Sequence, residues 1–222
     1  MANEIKNVNV QETPEVVSKT ELFITKNVKI IGICAAAVIV VAALAFLYSK
    51  YVYAPKKAEA LGQLFPAENL FAAQDFETAL KGDGNVMGFE EIAKEYGNKA
   101  GKAVNLYAGI CELQLGNYES ALNYLKKYNG KDAILAGRAI ACQGDAYCGL
   151  EDYTKAVECY KKAAKTSDNL FSAAYLLKAG IVCEELGKAD EALKLYKEIR
   201  EDWPMSNEAM DIDKYITRIE AK

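Results

Sequence analysis

The chain has 222 residues, 51% of them hydrophobic, and 31 acids against 27 bases leave a net charge of −4. That length allows one domain and an appendage, and the acidic balance excludes the basic footprint that nucleic-acid binding requires. Histidine is absent, which removes the commonest general acid/base, the commonest metal ligand and any Ser–His or Cys–His nucleophile.

Residues 1–28 are polar and carry no sustained apolar period, so the sequence predicts a flexible N-terminal tail. The stretch IIGICAAAVIVVAALAFLYS (30–49) has no charge and is long enough to cross a bilayer as a helix. Lys29 and Lys50 close its ends, and Tyr48, Tyr51 and Tyr53 sit where interfacial aromatics belong, giving a transmembrane anchor over 29–50. A secretory signal has a short, basic start, whereas the residues ahead of this segment are long and include Glu4, Glu12, Glu15 and Glu21. YAPKK (53–57) reads as the heart of a short, stiff spacer over 51–58, and amphipathic helices separated by short turns fill 59–222.

Those turns recur. Gly116, Glu151 and Gly187 open the same short turn in three similar stretches. Gly109, Gly144 and Gly180 are 35 and 36 residues apart, and Ala121, Ala156 and Ala192 show the same two spacings. Self-similarity at this period predicts a helical solenoid, in which each helix pair buries its apolar faces only by stacking on the next. The pattern resembles the tetratricopeptide repeat family, most fully at Gly144, Tyr147, Tyr153, Ala156 and Tyr160, and again at Gly180, Ala192, Tyr196 and Pro204. The resemblance implies an all-α tetratricopeptide-repeat helical solenoid behind a single N-terminal transmembrane helix. It would have about three full repeats, a degenerate N-terminal one and a closing helix. The glycine of each first helix and the alanine of each second would let the pair approach closely, with separation forced at Ala156 if Gly144 were enlarged.

The first full repeat departs from the pattern, with Glu112 where an aromatic is expected and Leu125 at the late aromatic position. Upstream, Asp75–Leu80 forms the turn and second helix of a degenerate copy, and GDGNVMG (82–88) loops out of that helix or interrupts it. The stretch 206–222 is expected to be a closing helix with Ile212, Tyr215, Ile216 and Ile219 on one face.

Three cysteines fall between 142 and 159. Cys142 and Cys148 lie six residues apart on one helix, roughly 9 Å along its axis, beyond the roughly 7 Å limit for a disulfide. No close cysteine pair of the zinc-binding kind accompanies them, so they read as buried small hydrophobes. GDGN lacks the Lys-Ser/Thr of a phosphate loop, and Glu90-Glu91 and Glu184-Glu185 read as solvated helix faces. No catalytic residue, metal, cofactor or small-molecule substrate is assigned.

The resemblance implies that protein segments bind along a concave surface lined by first helices. At the positions of that family's carboxylate clamp the chain has Leu106, Ile110, Cys142, Ala174 and Lys178, and only Lys178 fits. The groove is therefore expected to be apolar, formed by Leu106, Ile110, Leu113, Leu177 and Ile181 near Asp145, Lys178 and Glu184. The competing reading packs these side chains on the neighbouring pair or on the closing helix.

A polar N-terminus, one anchor and then repeats resembles the bacterial ancillary SecYEG translocon subunit family (YfgM-like) of Bacteroidota-type bacteria. That resemblance implies a single-pass inner-membrane protein with a cytoplasmic N-terminus and a periplasmic repeat domain. Its partners would be the bilayer, the SecYEG translocon, periplasmic chaperones and exported chains. Lysines balance on the two sides of the anchor and leave the orientation open, while five cysteines beyond it weigh against an oxidising compartment. The expected function is a translocon accessory or chaperone-like scaffold. The alternative is a structural adaptor in a cell-division or outer-membrane assembly complex, which PMSNEA (204–209) brings to mind.

Overall fold

The computed structural model describes residues 16–221, and no β-strand occurs among them. The chain divides into two compact units at Ala54/Pro55.

The first unit holds helix α1 (Val16–Tyr48) and a π-helical turn at Ser49–Tyr53. Helix α1 therefore starts inside the stretch 1–28 expected to be a tail, of which 1–15 lie outside the described residues. No Gly or Pro falls between Val16 and Ile31, so a nucleated helix propagates through these polar residues at one hydrogen bond per residue fixed. The apolar part carries its side chains outward, with Ile33 70% and Val38 68% exposed. One window of 18 residues reaches a mean hydropathy of 3.0. A helix that is apolar all round, and this long, can cross a bilayer. The spacer over 51–58 is helical, as the π-turn followed by the start of α2 (Ala54–Ala72). The widened turn lies just ahead of Pro55, which has no N–H to continue an α-helical ladder. The full chain is expected to stay with the membrane through carbonate extraction, whereas a chain starting at Lys56 should be soluble and helical. Release of the full chain by carbonate would contradict a spanning helix.

The second unit is a solenoid of paired helices. After α2 come α3 (Phe76–Lys81), α4 (Phe89–Tyr96), α5 (Val104–Gln114), α6 (Tyr118–Leu125) and α7 (Ala133–Gly149). The remaining helices are α8 (Tyr153–Ser167), α9 (Phe171–Glu185), α10 (Ala189–Asp202) and α11 (Ile212–Glu220). Helices α5/α6, α7/α8 and α9/α10 form the three full pairs, and α8 packs on α9 to join the last two. GDGNVMG interrupts the degenerate second helix, separating α3 from α4. The Asp83 carboxylate closes that loop by accepting from the N–H groups of Asn85 and Val86. Leu64, Leu80, Phe89, Ile92 and Val104 from α2 to α5 then share one core, with Phe71 meeting Phe76, Phe89 and Tyr107 edge to face.

The turns between paired helices share one backbone geometry. Gln74, Gly116, Glu151 and Gly187 all have positive φ, between 59° and 79°. In each case the next residue's N–H reaches back to the carbonyl five residues earlier, as in Lys188 to Cys183 and Asp152 to Tyr147. This is the Schellman ending, in which a left-handed residue satisfies orphan carbonyls of the helix. Asp75 and Asp152 also cap the following helix, accepting from the N–H groups of Thr78 and Lys155. Glycine adopts this conformation without the penalty other residues bear. Glu151→Gly is therefore expected to stabilise the chain by about 1 kcal/mol and Gly116→Val to destabilise it by a similar amount, read from denaturant midpoints. Equal midpoints would contradict the strain at these turns.

The repeat glycines are places of close approach. A Cβ at Gly144 would lie 2.6 Å from Cε1 of Tyr160, and one at Gly109 would lie 2.6 Å from Cγ of Leu125. At Gly180 it would overlap the ring of Tyr196. The nearest atoms to each glycine thus belong to the late large residue of the second helix. Ala121, Ala156 and Ala192 are fully buried in the same core clusters as those residues, and Tyr147 is half-buried against them. Gly144→Leu should cost roughly 1–3 kcal/mol through displacement of the Tyr160 ring. In a Tyr160→Ala background the same Gly144→Leu change should cost less than it does in the natural chain, and an equal cost would contradict the contact.

Pro204 ends α10, and a 3-10 turn (Glu208–Asp211) precedes α11, so the closing helix starts six residues later than the expected 206. Ile212 and Ile216 are buried, with Tyr215 and Ile219 packed beside them on the last pair. The Tyr215 ring lies 5.2 Å from that of Tyr196.

Candidate functional site

The first helices α5, α7 and α9 carry the residues expected to line a groove. Leu106 is not among the lining residues: it is 3% exposed and joins Leu122, Leu125 and Cys142 in a core cluster. Ile110 and Leu113 are half-buried against the same cluster, and Leu177 against the C-terminal one. Only Ile181 of the apolar set is well exposed, at 40%. Ile110, Leu113 and Leu177 thus share their surface between a core cluster and solvent.

The acids expected beside the groove are engaged in ties between repeats. Asp145 accepts from the Tyr160 hydroxyl at 2.7 Å and from the Lys178 ammonium at 2.6 Å. Lys178 belongs to the following pair and also stands 5.6 Å from the Tyr160 ring centre. Glu184 is held in the same way, by the Tyr196 hydroxyl at 2.8 Å and by Arg218 of the closing helix. Burial, followed by the neighbouring carboxylate, raises the Tyr160 and Tyr196 hydroxyls well above their ordinary 10.0. The first repeat has Leu125 in place of a tyrosine, and its buried Glu112 instead accepts from Asn117 and Ser120.

The open apolar surface lies at the start of this helix face. A pocket of about 500 Å³ is lined by Ile134 from the first turn of α7, by Leu170, Phe171 and Ala174 around the start of α9, and by Met205 and Glu208 beyond α10. Leu170, Phe171 and Met205 are 57%, 56% and 84% exposed. Their backbones are fixed despite this. Asn169 accepts from the N–H of Phe171, the Ser172 hydroxyl donates to the carbonyl of Ala164, and Ser206 accepts from the N–H of Ala209. Helical periodicity does not reveal these residues, since they stand in or next to loops. The signal that could have marked them is two apolar residues directly after Asp168-Asn169, and a methionine directly after Pro204.

The cysteines divide by burial. All six are unpaired, and Cys111, Cys142 and Cys183 are fully buried. Burial pushes the Cys111 thiol from 9.0 up to about 12 and the Cys142 thiol up to about 11. Below pH 9 both thiols are protonated in the folded and the unfolded chain. Above it the unfolded chain loses protons that the folded chain keeps, so stability should fall as pH rises from 9 towards about 12. Cys111→Ala/Cys142→Ala should flatten that decline in urea midpoints, and an unchanged slope would contradict it.

Residues 137–203 match the tetratricopeptide repeat family. Over 102 residues the chain is 36% identical to the DnaJ protein P58IPK homolog of Arabidopsis thaliana, a region that is 45% of this chain and 18% of that protein. Two crystal structures of MamA superpose with a TM-score of 0.52 at 18% identity. They cover 70% and 75% of this chain, and 92% and 93% of MamA. At that identity the likeness is one of fold.

Proposed function

We propose that this tetratricopeptide-repeat protein is a membrane-tethered module that holds segments of other proteins, as a translocon accessory or chaperone-like scaffold for exported chains. The observation that carries the reading is the exposed pocket of Ile134, Leu170, Phe171 and Met205 on the first-helix face. Exposed apolar side chains gathered round a recess mark sites of association. Burying them against a partner returns roughly 25 cal/mol per Å². No cationic clamp is available for a chain end, because Lys178 is engaged with Asp145, so the contact would accept many sequences. The long apolar α1 supports anchoring in an inner membrane, with the repeats on the periplasmic side as in the family that the layout resembles.

A photocrosslinker at Phe171 is expected to capture unfolded or translocating chains, while one at Lys194, on the outer side of α10, should not. Phe171→Ser/Met205→Ser should reduce capture several-fold and leave helix content unchanged, since both side chains are exposed. Capture of a single folded assembly subunit in place of unfolded chains would move the reading to a structural adaptor. No capture at Phe171 would remove the pocket from the function.

A further inference from the structure

A second recess lies between the second helices of the last two pairs, apart from the pocket on the first-helix face. It has a volume of about 550 Å³ and is bordered by Lys161, Lys162 and Lys165 of α8 and by Lys188 and Glu191 at the start of α10. Val157 lies in the lining, only 6% exposed. Lys161 pairs with Glu191 at 2.9 Å. Lys162, Lys165 and Lys188 are exposed and form no ion pair among the described residues. Four lysines against Glu158 and Glu191 make the lining +2, while the whole chain is −4. The recess is thus a local reversal of the chain's charge, in which three cations have no internal use.

We propose that this cleft docks an acidic polypeptide segment of a partner protein, its carboxylates meeting Lys162, Lys165 and Lys188. Three features select this occupant. The cations come from two successive turns of α8 and from the start of α10, a spread that suits a ligand bearing several spaced charges more than a single phosphate. They line a recess that also contains Glu158 and Glu191, so a planar anionic bilayer would meet those acids along with the lysines. An extended chain, by contrast, places each side chain separately and alternates its faces. Thr154 and Thr166 in the lining offer hydroxyls to the peptide between the charges. Complementary charge of this kind speeds encounter and fixes register, and it weakens as salt rises.

The test uses the full chain in phosphatidylcholine nanodiscs and a short fluorescent peptide of alternating Glu and Ser, read by anisotropy. Binding is expected at low salt and should weaken roughly tenfold as ionic strength shortens the screening length from tens of ångströms to a few. Lys162→Gln/Lys165→Gln/Lys188→Gln should weaken it roughly tenfold, whereas Lys94→Gln/Lys127→Gln, at exposed lysines elsewhere, should leave it unchanged. Circular dichroism melting checks each fold, and Lys188→Glu alone should lower affinity in the same direction if the triple variant melts early. Absence of peptide binding by the natural chain, or equal affinity in the triple variant, overturns the proposal. So does lysine-dependent attraction to phosphatidylglycerol vesicles without peptide binding, which would assign the cleft to lipid.

Discussion

The spacing of the solenoid rests on one contact made three times: a large side chain of each second helix lying over a glycine of the first. Leu125 covers Gly109, Tyr160 covers Gly144 and Tyr196 covers Gly180, each so close that a Cβ has no room. Two consequences follow from the choice of tyrosine. Its ring fills the gap between the helices, and its hydroxyl reaches past the glycine to an acid of the first helix. The acid then turns to a cation of the next element, Lys178 in one case and Arg218 in the other. A packing contact within a pair thereby becomes a polar tie to the next element, and after the α9/α10 pair the closing helix supplies the cation. Leucine at 125 cannot make that tie, and the first repeat secures its acid within its own turn, from Asn117 and Ser120.

This arrangement decides what the first-helix face has left for a partner. Asp145, Lys178 and Glu184 stand on that face but are committed to one another or to the tyrosines, so their charges are largely met inside the molecule. Leu106, Ile110, Leu113 and Leu177 are drawn into the cores between pairs. What remains open is Ile181 and the pocket at the start of the face, where the loops before α9 and after α10 present Leu170, Phe171 and Met205. The neighbouring turns are hydrogen-bonded, so the pocket walls need little ordering when a partner arrives, which lowers the entropic cost of association.

The sequence made the solenoid legible because its signals are local and periodic. Gly109, Gly144 and Gly180 recur with the helix pairs, and the positive-φ turn residues recur with them. Glu151 was found by its place between Gly116 and Gly187, whereas Gln74 hid in that series because a non-glycine residue there reveals itself only in the backbone. The interruption at 82–88 was visible as a longer spacing to Ala79. The start of α1 was not visible, because polar residues 16–28 lack a period and helix there depends on propagation from its neighbours. The choice between an open groove and packing stayed undecided in the sequence for a related reason. Periodicity identifies which face of a helix is apolar, but it does not say whether the next pair or a ligand covers it. Loop residues such as Phe171 and Met205 carry no period at all.

The most direct test of a protein-holding first-helix face is hydrogen exchange by mass spectrometry on the full chain, with and without a permanently unfolded polypeptide. The expected result is slowed exchange at the first turns of α7 and α9 and over 205–208, with α6 unchanged. Protection confined to the closing helix, or none anywhere while the polypeptide is bound elsewhere on the chain, would contradict it.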